Sequence, residues 1–200
     1  MNTPGNSAGK PSWWIRLWRQ PQKRWLFCVP VGGFLTFIVG VLFWGGFHTT
    51  IAMTNSLAFC TSCHEMRDNV YQEYKTSVHY ANAYGVRAIC TDCHVPKSWG
   101  PMMVRKITAT RELFFHFTGS VATKEMFEAK RLQMAEDVWR QMRATNSREC
   151  RNCHSFSAMN LTAQSRQAAR KHAPEWIAKT GKTCIDCHQG VVHKLPVLVR

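Results

Sequence analysis

Carboxylates are scarce in this chain: 12 Asp and Glu stand against 26 Lys and Arg, a formal charge of +14. An imbalance of that size raises nucleic-acid binding. Five of the cations (Lys10, Arg16, Arg19, Lys23, Arg24), however, precede a run with no charge at all, from Trp25 to Phe47. Cysteine outside one recurrent pattern is almost lacking, since only Cys28 of nine escapes it. That excludes a disulfide framework. Apolar–polar alternation of strand length is missing, which excludes a sheet architecture. A cleavage site after the apolar run is also missing, because the only small-x-small candidate, Ser56-Leu57-Ala58, lies too far downstream. A removable signal peptide is thereby excluded.

The recurrent pattern is Cys60-Thr61-Ser62-Cys63-His64, Cys90-Thr91-Asp92-Cys93-His94, Cys150-Arg151-Asn152-Cys153-His154 and Cys184-Ile185-Asp186-Cys187-His188. Two cysteines at this spacing reach both vinyl groups of one haem, and the next residue turns an imidazole toward the iron. Zinc would take two cysteine pairs per ion and would not require a histidine after every pair. Four copies that all carry that histidine point to four covalently attached c-type haems. Such attachment takes place outside the cytoplasm, so the domain is expected to be exported. Beyond residue 48 the chain holds 21 basic and 12 acidic residues. Eight haem propionates would absorb much of that excess, and no nucleic-acid partner is expected.

Three segments follow. Residues 1–24 form a cytoplasmic and interfacial stretch: a polar tail to residue 12, then Trp13, Trp14, Ile15, Leu17 and Trp18 interleaved with cations, a composition suited to headgroups. Residues 25–47 form an uncleaved transmembrane anchor, about 34 Å long as a helix. Its positive flank leaves the N-terminus in the cytoplasm and residues 48–200 in the periplasm, across a bacterial inner membrane. Gly32, Thr36 and Gly40 share one face of the anchor, which would admit a second copy and make a homo-oligomer. Pro30 is a kink candidate. Cys28 reads as a small packing residue.

The exported part reads as two di-haem halves, about 48–118 and 119–200. Motifs one and two start 30 residues apart, three and four 34 apart, and each half encloses a spare histidine, His79 or His172. Low-spin electron-transfer haems need a ligand on each axial side, so His79, His172 and His193 are assigned as axial ligands with His64, His94, His154 and His188. His48, at the membrane exit, and His116, among Phe114, Phe115 and Phe117, read as interfacial or packed side chains. Residues 101–117 and 122–144 are predicted helices. The second carries Phe127, Arg131, Met134, Val138 and Met142 as an apolar stripe interrupted once. The fold class is mostly α: one transmembrane helix and a sparse helical multihaem domain.

The first motif continues Glu65-Met66. A methionine two past the histidine either replaces His64 on the near side of the iron or packs against the ring. No spare histidine is left for this haem, and twelve residues separate Phe47 from Cys60. An open haem at the bilayer surface is where a lipid-soluble two-electron donor would be oxidised.

Trp44-Gly45-Gly46-Phe47 after the anchor, Phe59 through Arg67, Ser77-Val78-His79-Tyr80 and His193-Lys194-Leu195-Pro196 together resemble the NapC/NirT family of membrane tetrahaem quinol dehydrogenases, over almost the whole chain. The resemblance implies electron transfer from menaquinol or ubiquinol to a periplasmic reductase, nitrate reductase being favoured and a nitrite or N-oxide reductase the alternative. It also implies Met66 as the axial ligand of haem one, His94 with His172 on haem two, His154 with His193 on haem three, and His188 with His79 on haem four. The chain departs from the family pattern at Lys97, where a histidine is expected. Quinol oxidation releases two protons, and the catalytic residues assigned beside the first haem are Lys106, bonding a quinone oxygen, and Glu112, accepting a proton. A solvated or propionate-pairing face would look the same. Two other functions are weighed: a passive membrane-tethered carrier, and a haem sensor, which would need an output domain that the twelve residues after His188 cannot form.

Overall fold

The structure, a computed structural model, describes residues 12–19 and 29–197. The polar tail up to Pro11, Lys23, Arg24 and the start of the expected anchor, Trp25 to Cys28, lie outside the described residues. The chain divides after Thr54 into two compact units.

In the first unit, α1 (Trp13–Trp18) packs against α2 (Val31–Thr54). Twenty-four residues without Asp, Glu, Lys or Arg span about 36 Å, and the helix is long and apolar enough to cross a membrane. It runs seven residues beyond the expected end at Phe47. The reason is local: the Thr49, Thr50 and Thr54 hydroxyls each donate 2.9 Å to the carbonyl one turn earlier, Gly45, Gly46 and Thr50. Their polarity is satisfied within the helix, so nothing stops it before Asn55. Gly32 is buried, and a Cβ there would stand 2.9 Å from the Leu17 carbonyl and 3.1 Å from the Trp18 ring. The face expected to admit a second copy is therefore covered by α1 at Gly32, while Gly40 meets nothing within 4 Å.

The second unit strings short helices at the four motifs, α3 (Leu57–Cys60), α5 (Cys90–His94), α8 (Arg148–Arg151) and α11 (Cys184–Cys187). Between them lie α4 (Tyr71–Lys75), the long α6 (Trp99–Phe117) and α7 (Lys124–Ala144), then α9 (Arg166–His172) and α10 (Pro174–Thr180). No strand occurs among the described residues. Gly119, at φ +67, turns the chain between the long helices, and the Thr123 hydroxyl caps α7 by accepting the Met126 N–H at 3.2 Å.

The apolar core is small. Among the described residues only Tyr74, Phe127 and Ile185 are buried apolar side chains, alongside buried Glu65, Arg131, Ser147 and Glu149. Three such side chains contribute roughly 1.5–3 kcal/mol each. Ordering a unit of this length costs far more.

Candidate functional site

The motif helices are set by their own sequences. In motifs two and four the middle residue is an aspartate at the third helical position. Asp92 accepts the Ile89 N–H at 2.9 Å, and Asp186 accepts the Thr183 N–H at 2.8 Å. Each carboxylate caps its helix and fixes where the two cysteines point. In motif one the cap is Ser56, whose hydroxyl accepts the Phe59 N–H at 3.1 Å. Motif three is preceded by Asn146 and Ser147 at positive φ, and the fully buried Ser147 Oγ accepts the Ile185 N–H at 3.2 Å, tying α8 to α11.

Tertiary structure lines the motifs up in chain order. α3 contacts α5, and α5 contacts α8. Cys93 lies within electrostatic reach of Cys150 and Cys153, and Cys150 of Cys184. Each motif is adjacent to the next, the order a relay requires.

Three pairs of imidazoles face each other. His94 and His193 have ring centroids 6.2 Å apart, His79 and His154 6.2 Å, and His172 and His188 5.9 Å. Two axial bonds of about 2.0 Å to one iron, with about 1.1 Å from each nitrogen to its ring centre, put the centroids roughly 6.2 Å apart. The donor set and its spacing fit iron held between two imidazoles. Burial pushes His94 down to about 4 and shifts His188 and His193 downward, keeping the neutral rings that a metal binds. His172 is further oriented by Nδ1, which donates to Gln164 Oε1 at 2.7 Å and leaves Nε2 as the unprotonated nitrogen of a neutral ring.

These pairs differ from those the family resemblance implies. Each spare histidine meets one motif histidine, but His79 faces motif three instead of four, His193 motif two instead of three, and His172 motif four instead of two. Two of the three contacts cross between the expected halves, so the halves interlock.

The first motif is built differently. His64 and His116 also stand 6.2 Å apart, but a carboxylate occupies the gap. The buried Glu65 accepts from His116 Nδ1 at 2.8 Å and lies 3.4 Å from His64 Nδ1. Burial opposes its charge, yet its backbone N–H and His116 hold the Glu65 carboxyl below the usual range. The other His64 nitrogen, Nε2, is 3.0 Å from the Ala122 carbonyl. Nε2 of the motif histidine is thus engaged, while its Nδ1 makes only the longer approach to Glu65, and Met66 is half exposed at the start of a π-helical turn, Met66–Val70. Such turns are frequent at functional sites. His116, read from the sequence as a packed side chain, lies against Phe117 with ring centroids 5.3 Å apart and is also oriented by the buried carboxylate. The only sequence signal was a carboxylate placed directly after a motif histidine.

On α6, Lys106 is half buried, which shifts it downward, and its charge acts on Cys60. The assigned Lys106 is thus within electrostatic range of Cys60. The assigned Glu112 is 62% exposed and paired with Arg105, Nη2 to Oε1 2.8 Å. Arg105 Nε also donates to the His94 carbonyl at 3.2 Å, so Glu112 is tied toward the second motif. Lys97, where the family pattern has a histidine, stands 3.8 Å from Asp92 and supports the α5 cap.

Residues 22–198 match the NapC/NirT cytochrome c family, N-terminal region. The chain is 50% identical over 195 residues to the cytochrome c-type protein NapC of Escherichia coli strain K12, covering 96% of this chain and 95% of that one. It is 48% identical over 184 residues to the denitrification system component NirT of Stutzerimonas stutzeri, covering 91% and 89%. The cytochrome c-type protein TorC of Escherichia coli strain K12 is 42% identical over 187 residues, which are 90% of this chain and 46% of TorC. No solved structure matches.

Proposed function

The chain belongs to the NapC/NirT cytochrome c family, electron-transfer proteins with bound haem, and from that premise we propose that it is a quinol dehydrogenase of the bacterial inner membrane carrying four haems. Haem would be held by Cys60 and Cys63, Cys90 and Cys93, Cys150 and Cys153, and Cys184 and Cys187. Axial ligands would be His94 with His193, His154 with His79, and His188 with His172. Bound haem supplies a one-electron acceptor at each motif. The positive residues before α2 keep the N-terminus in the cytoplasm and the haem domain in the periplasm.

One observation carries the quinol reading: the first motif is unlike the other three. His64 has its Nε2 engaged by the Ala122 carbonyl and stands beside a carboxylate-bound His116, so Met66 would hold the near side of haem one and the far side would stay open. Only Asn55 to Phe59 separate this motif from the apolar α2 in sequence, which suits a lipid-soluble menaquinol or ubiquinol. Lys106 bonds the quinone oxygen. Glu112, held by Arg105, accepts a proton that leaves it. Electrons pass on to a periplasmic reductase. Nitrate reductase is favoured because the Escherichia coli NapC is 50% identical to this chain against 48% for NirT, and a nitrite or N-oxide reductase is the alternative.

The test is the purified full-length protein in detergent, mixed with a reduced quinol analogue. Reduction of its haems without any other protein is the expected result. Reduction only after a separate quinol-oxidising complex is added would establish a passive tethered carrier instead.

A further inference from the structure

We propose that the buried Glu73–Arg131 pair is a positioning device that fixes the chain segment bearing His193, and through it the outer ligand of the second haem site. The inference rests on the ligand assignment above and adds the residues that enforce it.

Arg131 is the one charge in the apolar stripe of α7, and its side chain is 9% exposed. All five guanidinium N–H groups are used. Nε and Nη2 donate to Glu128 at 2.6 and 2.7 Å, and Nη1 and Nη2 donate to Glu73 on α4 at 3.2 and 2.8 Å. The remaining bond, Nη1 to the Lys194 carbonyl, is 3.4 Å. Glu73 in turn accepts the Lys194 N–H at 3.1 Å, and the same oxygen lies 3.7 Å from His193 Nδ1. The residue after His193 is thus held at its N–H by one member of the pair and at its carbonyl by the other.

The segment needs such a hold. From Gln189 to Val197 it forms turns, bends and coil, so no ladder of backbone hydrogen bonds places His193. Its support comes from α4 and α7, far away in sequence. The α4 platform is itself pinned, because the buried Tyr74 hydroxyl donates to the Ala88 carbonyl at 2.8 Å. Energetics point the same way. A buried ion pair recovers little beyond its desolvation cost and is often replaced by apolar residues without loss of stability. Geometry is what it supplies: a planar, bidentate lock that apolar side chains cannot reproduce.

The experiment uses the full-length tetrahaem protein with three changes: His193→Ala, the apolar double Glu73→Leu with Arg131→Met, and Glu73→Gln. Haem content is counted by mass, low-spin signals by paramagnetic resonance of the oxidised protein, and open haems by carbon monoxide binding to the reduced one. His193→Ala should remove one bis-histidine signal and add one carbon monoxide-binding haem per chain. The apolar double should alter that same signal and add the same binding haem, with four haems and the unfolding midpoint retained. Where the double yields no tetrahaem protein, Glu73→Gln, which keeps volume and loses the charge, should shift the same signal alone. Unaltered signals in both Glu73 variants at full haem content would overturn the proposal, as would equal change in all three signals. Unaltered signals in His193→Ala would overturn the ligand assignment instead.

Discussion

Gln164→Leu offers a quantitative check on the axial histidines. His172 Nδ1 donates to Gln164 Oε1 at 2.7 Å, and the ring lies 5.9 Å from His188 at an interplanar angle of 10°. Leucine has similar bulk but no acceptor. The lost hydrogen bond is worth about 0.5–1.5 kcal/mol net. It raises the basicity of the ligating ring, which favours oxidised iron over reduced. If the whole of that energy is differential between the two oxidation states, the one-electron potential of that site rises by about 20–60 mV on substitution. A redox titration of the purified protein, followed by the low-spin resonance signals, reads this directly. One step should move upward within that range while the others stay in place. An unchanged or lowered potential, or a common shift of every step, would refute the assignment of His172 as a ligand oriented by Gln164.

Four further outcomes are expected. Met66→Leu should change the signal of one haem and leave the three bis-histidine signals untouched in the same spectra. Ser147→Ala leaves the buried Ile185 N–H unpartnered and should cost about 1–3 kcal/mol, read from the denaturant midpoint of the holoprotein. Gly32→Leu inserts carbon where a Cβ already stands 2.9 Å from the Leu17 carbonyl, so α1 should be displaced from α2 and trypsin should cut faster at Arg16 and Arg19 in detergent. Glu128 is held below its ordinary 4.5 by N–H donors of Arg131, so its contribution to stability is present above that value and lost as pH falls through the lowered one. Glu128→Gln should flatten that component of the acid limb in a pH series of unfolding midpoints.

Much of the site was legible without coordinates because its chemistry is local. A cysteine pair and the histidine after it act within one helical turn, and Asp92 and Asp186 cap the very turns that carry the cysteines. The two long helices were legible as 101–117 and 122–144, the second from its periodicity, and are observed at Trp99–Phe117 and Lys124–Ala144. The helix continues past the expected anchor to Thr54, since threonines that look polar in sequence bond back into their own helix. Arg131 read as a blemish in an apolar stripe. Besides Glu128 three positions earlier, its partners are Glu73, 58 positions away, and the backbone of Lys194, 63 positions away, and no window of sequence contains those two.

Sequence alone determined that this is a c-type cytochrome with an apolar anchor, since covalent attachment and helix apolarity depend only on near neighbours along the chain. Tertiary structure decided which histidine faces which: His79 crosses to His154, His193 returns to His94, and His116 joins His64 around Glu65. An axial pair is a contact between distant segments, and only the folded path of α4, α6, α7 and the closing loop brings those segments together.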